Sequence, residues 1–496
     1  MSLDPWRTPV VIGAAQCVER DEVVTPLDML ERAAAETLSR APGAASHIDE
    51  VHAVGILFGG GDAPASELCR RLGLDPPARF TTTIGGNTPQ WLVGRAADRI
   101  AAGTVGAILI AGAEAVRSQR VRPLPPAPPA PGGADPVEGD PRPGLSATEM
   151  AAGLAVPAQV YPLFESVLAA RAGRDPAEQR RWLGGILSPF TEVAAANPFA
   201  WFRQTLSAEE IAAPGPDNRV AAEPYTKRMN AFLNVDQSAA FLVTSLGKAR
   251  ELGAAGGCAF VWAAADANDV WHVSERPDLA ASPGIAAAGE AVLAAAGVGL
   301  DDVSFFDLYS CFPSAVQIAA AALGLDLADR RRLTVTGGLP YFGGPGNNYT
   351  THAIASLAQR LRDTGGLGLI SGLGWYCTKH SLGVYGAEPP PGGYRRGDTS
   401  SAQRAIDATS LEVAAGLDRP VEATVEASTV LYDRKGQPVG APAVATLADG
   451  RRIVAAAAPE ELRQLDGQLI VGARVAVEGS PPRYRVVAAA RRGVAS

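Results

Sequence analysis

Paired cysteines, long apolar runs and excess positive charge are all lacking in this sequence. Its 496 residues include five cysteines with no Cys-x-x-Cys pair, so neither a disulfide framework nor a metal site is expected. No apolar run reaches the roughly 18 residues that a membrane span needs, and the N-terminus lacks the basic-then-apolar order of a secretory signal. The net charge of −8 argues against a nucleic-acid surface. We therefore expect a cytoplasmic protein with reduced thiols.

The composition suits a large folded protein. Hydrophobic residues make up 47% of the chain and charged residues 19%, as in ordinary globular proteins. The length leaves room for several domain-sized units, each with its own core.

The first 120 residues alternate short apolar runs with amphipathic stretches, which predicts an α/β layer architecture with parallel strands. Helices are expected at 26–39 and after Pro89, with Thr88 as the N-cap of the second. Strands are expected at 10–14, 51–58, 80–84 and 105–111.

A proline- and glycine-rich stretch, 123–143, predicts a linker without regular structure. The pattern from 148 to 224 is mostly helical, and a helical layer inserted between two α/β units is the expectation. The last hundred residues instead show strand-like alternation broken by turn signals. They predict a small β-barrel-like domain, of the OB type, reached through the linker at 386–398.

Two pairs of similar segments, called echoes below, indicate a duplicated unit. Residues 25–57 parallel 282–312: each begins Thr/Ser-Pro, continues as a helix and enters an apolar strand through an Asp-containing step. Residues 101–115 likewise parallel 363–377. Because the two echoes occur in the same order, we expect one α/β unit used twice around a shared core.

The stretch "TTTIGGNTPQWLVGRAADRIAAG" at 81–103 feeds a loop into a helix N-terminus, where free N–H groups and the helix dipole stabilise negative charge. Reactive side chains are favoured at such a place. The tip, Gly85-Gly86-Asn87, nevertheless offers no Cys, Ser or Lys.

Three further blocks make the chain resemble the thiolases: "YSCF" at 309–312, "TGGLPYFGGPGNNY" at 336–349 and "GLGWYCTKHSLG" at 372–383. The stretch at 225–245 looks like the return segment of sterol-carrier-protein-type thiolases. The resemblance implies a duplicated, layered α-β-α-β-α thiolase fold. The implied domains are a first half at 1–120 completed by 225–262, a loop domain at 121–224, a second half at 263–386 and an added β-rich domain at 387–496.

The departures from thiolases are chemically informative. The resemblance places the nucleophilic cysteine at Gly86, the Asn-Glu or His-Asp pair at Tyr309-Ser310 and the His of Gly-His-Pro at Gly344. The second cysteine persists as Cys377. Since thiolysis needs a thiolate carrier and an imidazole that lowers its pKa, ordinary thiolase turnover is not expected. Recognition of a thioester remains, through the amides of the tip.

The resemblance implies Cys377, His380 and Tyr309 as catalytic candidates, with Lys379 of the type that lowers a thiol pKa. Structural roles are the alternatives: a buried inert thiol, a structural imidazole and a packed aromatic ring. Cys311 and His352 are interpreted as structural. The predicted contacts with coenzyme A (CoA) or its thioester are Gly86, Asn87, Thr88, Ser310, Gly344, Asn347, Asn348 and Tyr349.

Three functions remain open. The first is an atypical acyltransferase, grouped with acetyl-CoA acetyltransferases, that binds CoA or acyl-CoA without a covalently bound cofactor. The second is a retro-aldol lyase that uses Tyr309, Tyr341 or Tyr349 on a β-hydroxyacyl-CoA, with the OB-type partner domain fused at 400–496. The third is a CoA-binding scaffold without catalysis. A homodimer is the family default, and a monomer is the alternative if the added domain covers the interface.

Overall fold

The computed structural model describes residues 3–127, 132–327 and 333–489. Part of the predicted linker, 128–131, lies outside the described residues. Within the described ranges the chain forms a mixed sheet of eleven strands, a helical layer and a barrel sheet of six strands. No helix in these ranges combines the length and apolarity that crossing a membrane requires.

The first half of the mixed sheet follows the predicted alternation of strands and helices. Helix α1 starts as its sequence dictates, because the Thr25 hydroxyl accepts the N–H of Asp28 while the Asp28 carboxylate accepts the N–H of Thr25. The elements are β1 (Pro9–Val18), α1 (Pro26–Ser39), β2 (Glu50–Ala53), α2 (Pro64–Leu72), β3 (Ala78–Thr82), α3 (Thr88–Ala102), β4 (Ala107–Ala115), α4 (Val116–Val121) and β5 (Val137–Glu138).

A mostly helical segment comes next, as predicted, and leads into a long buried strand that returns to the sheet. Its elements are α5 (Ala147–Ala151), α6 (Pro157–Arg171), α7 (Pro176–Ala196), α8 (Ala208–Ala212), β6 (Val220–Ala222), β7 (Tyr225–Thr226), β8 (Asp236–Ser245) and α9 (Leu246–Glu251).

The second half repeats the plan of the first. Ser282 caps its first long helix through the N–H of Ile285, as Thr25 caps α1. Its elements are β9 (Ala259–Asn268), α10 (Pro283–Ala296), β10 (Phe305–Asp307), α11 (Pro313–Leu323), α12 (Tyr349–Thr364), β11 (Leu367–Gly374), β12 (Lys379–Gly386) and β13 (Arg395–Arg396).

The strand order establishes the duplication. The first half runs β2-β4-β8-β1 and the second runs β10-β11-β12-β9, with the same succession of one parallel and two antiparallel pairings. The halves join where β1 pairs with β9. Strand β9 spans the predicted boundary between 262 and 263.

Helices form layers around these strands. Helix α1 covers β1, β4 and β8, and α10 covers β9 and β12 in the corresponding place. Helices α3 and α12 contact each other and strands of both halves. The fold is therefore the predicted duplicated, layered α/β fold, with α3 and its N-terminal loop tip at the centre.

Three local predictions are wrong. Strand β2 ends at Ala53 rather than 58, and the chain beyond it forms a loop in which the N–H of Leu57 donates to the carboxylate of Glu114 (2.6 Å). Helix α3 has Asn87 at its N-cap, and Thr88 is its first residue. The proline-rich stretch contains β5, which pairs with the outer edge of β3.

The C-terminal region forms the predicted small barrel. Strands β15, β18, β19, β21 and β20 pair in succession and close, because β19 pairs with β21. Its elements, after the linker helix α13 (Ser400–Asp407), are β14 (Val413–Ala414), β15 (Leu417–Ser428), β16 (Leu431–Tyr432), β17 (Pro438–Gly440), β18 (Pro442–Leu447), β19 (Arg452–Ala457), β20 (Arg474–Gly479) and β21 (Arg483–Ala488).

The barrel is anchored to the helical layer. Leu431 in β16 pairs with Ala222 in β6, and the N–H of Ser428 donates to the hydroxyl of Ser166 in α6 (3.1 Å). The added domain therefore packs against the segment inserted between the two halves.

Candidate active site

The loop tip before α3 is held from both sides. The N–H of Gly85 donates to Asn347 Oδ1 (2.9 Å), and the carbonyl of Gly86 accepts from the hydroxyl of Thr350 (2.6 Å). The hydroxyl of Thr88 donates to the carbonyl of Gly85 (2.8 Å). The second half of the chain thus fixes the tip that the first half supplies.

Tyr309 reaches the tip from the loop after β10. A Cβ atom added at Gly86 would lie 2.5 Å from Tyr309 Cζ, closer still to the Tyr309 hydroxyl, and 2.7 Å from the carbonyl oxygen of Leu373. Real Cβ atoms do not approach so closely, so a side chain at position 86 is excluded while Tyr309 stays in place. The phenol occupies the space where a side chain from Gly86 would project.

The Tyr309 phenol is neutral in this environment. Burial, and secondarily the neighbouring Cys311, raise the pKa of Tyr309 well above its usual value. Its N–H donates to the hydroxyl of Ser371 (3.0 Å), and its ring meets that of Tyr349 edge-on at 5.4 Å. The hydroxyl itself forms no hydrogen bond with any described residue, so it is available as a donor.

Two buried thiols lie beside Tyr161, and one of them, Cys311, also neighbours Tyr309. Cys377 sits in the turn between β11 and β12 with a left-handed φ of 51°, and its N–H donates to the Tyr161 hydroxyl (3.2 Å). Burial raises the pKa of the Cys377 thiol well above its usual value and that of Cys311 to about 12. Both cysteines are neutral thiols at physiological pH, which disfavours a nucleophilic role.

The His380 side chain forms its hydrogen bonds away from Tyr309 and the two thiols. Its Nε2 lies 2.9 Å from the carboxylate of Asp269 and 3.3 Å from the hydroxyl of Ser282. Ser282 caps α10, so the imidazole belongs to a buried network at the start of that helix. No contact joins His380 to the Cys377 sulfur among the described residues.

The glycine-rich block after "TGG" supports the tip. Asn347 also donates to the carbonyl of Gly55 (2.7 Å), and Asn348 donates to the carbonyl of Gly112 (2.7 Å). The Tyr349 hydroxyl donates to Asp307 (2.9 Å). These three predicted ligand contacts are engaged inside the protein.

Ser310 and Gly344 also form hydrogen bonds within the protein. The Ser310 hydroxyl accepts the N–H of Leu339 (3.3 Å). The N–H of Gly344 donates to the carbonyl of Phe232 (2.9 Å), and a side chain at position 344 would face Leu233. Gly344 therefore contacts the 231–233 segment, and no contact between Gly344 and Gly86 is seen among the described residues.

A cavity of about 470 Å³ lies on the other side of the tip. The predicted residues Asn87, Thr88 and His380 line it, together with Lys379 and Trp91. The sequence indicated Lys379 only as a group able to lower the pKa of a thiol, and it did not indicate Trp91. Lys379 follows Cys377-Thr378 where thiolases have glycine, and this departure was the signal that pointed to it. Burial lowers the pKa of Lys379 to about 8.

Glu114, near the end of β4, was also missed. Its side chain is buried and accepts the N–H of Leu57, and burial raises its pKa to about 8. A side chain added at Gly346 would overlap its carboxylate. It therefore joins the loop after β2 to the glycine-rich block.

Among the described residues, no group of three or more His, Cys, Asp and Glu side chains is arranged to hold a metal ion.

Neither protein-family models nor curated protein sequences match this chain. Solved structures do. The chain is 30% identical to a monomeric SCP2-thiolase-like protein type 1 from Mycobacterium smegmatis, over 98% of this chain and 100% of that one, with a TM-score of 0.85.

More distant structures share the fold. The peroxisomal thiolase of Saccharomyces cerevisiae is 15% identical (TM-score 0.58, covering 78% of this chain and 99% of that one). The Ltp2-ChsH2(DUF35) aldolase is 18% identical (TM-score 0.59, covering 77% and 98%). The fold, the repeated halves and the full-length match to the mycobacterial protein agree: the chain belongs to the SCP2-thiolase-like proteins, a divergent group with the thiolase fold.

Proposed function

We propose that this protein binds CoA or acyl-CoA thioesters beside the Gly86 tip and does not carry out thiolysis or Claisen condensation. The observation that carries the proposal is the contact between Gly86 and Tyr309. Gly86 lies in the loop just before α3, where thiolases carry the nucleophilic cysteine, and the Tyr309 phenol occupies the adjacent space. The site therefore offers a hydrogen-bond donor in place of a covalent acyl carrier.

The local chemistry supports recognition without acyl transfer. Acyl transfer through a cysteine needs a thiolate, whereas burial keeps Cys377 and Cys311 protonated. At the tip, the N–H groups of Gly86 and Asn87 have no hydrogen-bond partner among the described residues. Together with the Tyr309 hydroxyl they can donate to a thioester carbonyl oxygen.

Calorimetric titration with CoA, acetyl-CoA and a longer acyl-CoA tests the proposal. We expect saturable binding, and no release of free thiol when acetyl-CoA is incubated with the protein. Tyr309→Phe removes one donor and is expected to weaken thioester binding by about fivefold to tenfold, with Tyr385→Phe as a control outside the site. Absence of heat with all three ligands would overturn the proposal, and so would steady release of CoA that depends on Cys377.

A second candidate function is retro-aldol cleavage of a β-hydroxyacyl-CoA. In this reaction the β-hydroxyl loses its proton to a base, the Cα–Cβ bond breaks, an aldehyde or ketone leaves, and the resulting enolate takes a proton at Cα. The free, neutral hydroxyl of Tyr309 favours it as the acid of the last step. Tyr349 is a weaker candidate because its hydroxyl is bound to Asp307.

Trapping the released carbonyl compound as a hydrazone separates the two functions. Cleavage that is abolished by Tyr309→Phe and retained by the control Tyr385→Phe supports the lyase. Binding without turnover, unchanged in Cys377→Ala, supports the scaffold.

The protein is proposed to act as a monomer with its OB-like barrel attached. The mycobacterial relative is described as monomeric, and in this chain β5 covers the outer edge of β3, where an exposed strand would otherwise be free to pair with a second copy. A single sedimenting species of 51.1 kDa is expected, and a dimer at micromolar concentration would contradict it.

A further inference from the structure

We propose that the cavity behind the loop tip is a second ligand site, separate from the thioester site, which binds a small hydroxycarboxylate through Lys379. The cavity of about 470 Å³ falls within the size range of small-molecule pockets. It is lined by the start of α3, the end of β9, the start of β12, the β5 segment and, through Gln403, the linker helix α13.

Lys379 is a cation that lines this cavity without a described carboxylate in contact with it. Its side chain is 5% exposed, and its ammonium donates to the backbone carbonyl of Ile84 (2.6 Å). It forms no ion pair with any described residue. Two N–H donors of a buried cation therefore remain for a ligand.

The acids around the cavity are already paired. Glu138 lies 3.5 Å from Arg95, and Asp140 forms a 2.6 Å ion pair with Arg142. Asp266 is bound to Arg396. Each of these carboxylates has an arginine partner, although Arg396 also pairs with Asp98. Because none of them lies in contact with the Lys379 ammonium, the charge of Lys379 attracts a ligand with a carboxylate.

Unpartnered oxygens beside Lys379 indicate the second group of the ligand. A Cβ atom added at Gly85 would lie 2.5 Å from Asn87 Oδ1 and 3.0 Å from Lys379 Nζ, so these two atoms are neighbours. Asn87 is 7% exposed, and its Oδ1 has no hydrogen-bond partner in the described structure; the same holds for the hydroxyl of Thr83. A hydroxyl on the ligand can satisfy such an acceptor while its carboxylate binds Lys379.

The tip separates this cavity from the thioester site. Gly86 faces Tyr309, whereas Gly85 faces Lys379. Neither Tyr309 nor either neighbouring thiol, Cys311 or Cys377, lines the cavity. A ligand at Lys379 therefore leaves the phenol side of the tip open, and the inference does not depend on the proposed thioester binding.

Calorimetry with glycolate, lactate and glycerate tests the inference, with acetate as the probe that lacks the hydroxyl and glycerol as the probe that lacks the charge. We expect the three hydroxycarboxylates to bind, acetate to bind at least about threefold more weakly, and glycerol to give no heat. Lys379→Met should weaken binding by about tenfold or more. Lys248→Met, at a surface lysine paired with Glu251, should leave it unchanged.

A second readout separates a binding role from a structural one. Because the pKa of Lys379 lies near 8, a bound carboxylate should raise it and draw a proton from solution. Titration at pH 8.5 in two buffers of different ionisation enthalpy should then give different heats, and Lys379→Arg should bind without this difference.

No heat with any hydroxycarboxylate, or unchanged binding in Lys379→Met, would overturn the inference. Equal affinity for acetate and glycolate would overturn the role of the hydroxyl. Circular dichroism and CoA titration of Lys379→Met distinguish loss of the site from loss of the fold, and CoA titration of the unmodified protein tests the proposed function separately.

Discussion

Tyr309 leaves no room for a side chain at Gly86. A Cβ atom at position 86 would overlap the Tyr309 hydroxyl and ring, and the Leu373 carbonyl closes the remaining side. The two residues come from different halves of the duplicated fold. Their contact defines a site in which a phenol from the second half fills the space beside the tip of the first. It also makes the two positions thermodynamically dependent on each other.

Gly86→Ala should therefore destabilise the fold, and the size of the effect should depend on whether Tyr309 is present. We expect it to lower the free energy of unfolding by about 1–3 kcal/mol, since the added methyl group has no room. In a Tyr309→Ala background the same change should cost at least ~1 kcal/mol less, although the Leu373 carbonyl keeps part of the penalty. Urea unfolding of the four proteins gives the coupling energy.

Gly185→Ala is the matched control for that cycle. Gly185 lies inside α7, and a side chain there meets open space, so the change should be neutral or stabilising by up to about 1 kcal/mol. Equal effects of the substitutions at 86 and 185, or strict additivity with Tyr309→Ala, would contradict the crowding of the tip.

The repeated fold was predictable because its signals are local. The Thr-Pro and Ser-Pro starts of α1 and α10 specify capped helices at equivalent places, and the strands that follow are short apolar runs. Strand β5 was not predictable in the same way. It has two residues in a proline-rich stretch, and its pairing depends on the exposed edge of β3.

The site was less predictable because its chemistry comes from long-range burial. Lys379 matters because its ammonium reaches the carbonyl of Ile84, far away in sequence. Glu114 matters because the glycine-rich block closes over it. The pair Asn347 and Asn348 has the composition of a ligand-binding loop, yet both amides bind backbone carbonyls of the first half. Nothing in a local pattern distinguishes these two uses of an amide.

Substitutions at Tyr349 and Tyr309 should distinguish a residue that stabilises the fold from one that contacts the ligand. The Tyr349 hydroxyl bonds to Asp307 (2.9 Å) and Thr336 (2.5 Å), so Tyr349→Phe should lower the free energy of unfolding by about 1–3 kcal/mol and leave CoA affinity unchanged. Tyr309→Phe should have the opposite profile, because its hydroxyl has no described partner. Thermal unfolding and calorimetry of both variants check this, and interchanged profiles would reverse the two assignments.

Cys377 and Cys311 should be unreactive in the folded protein. Burial raises the pKa of both thiols, so iodoacetamide at pH 7.5 finds little thiolate to attack. We expect Cys17, which is partly exposed, to be labelled first, and all five cysteines to be labelled in urea. Peptide mass spectrometry after timed quenching resolves the sites. Rapid labelling of Cys377 in the native protein would instead support an acyl-transfer role.

Glu114 should make stability depend on pH with a definite sign. Its folded pKa of about 8 lies above its unfolded value, so the folded state binds the extra proton in the window between the two. The contribution to stability is therefore complete below the unfolded pKa and is lost as the pH rises through about 8. Linkage gives a loss on the order of 3 kcal/mol between pH 5 and pH 8.

Glu114→Gln mimics the protonated acid and should flatten this part of the profile, whereas Glu251→Gln, at an exposed surface pair, should not. Urea unfolding at several pH values checks it, and parallel profiles for the unmodified protein and Glu114→Gln would show that the carboxyl group is ionised in the fold.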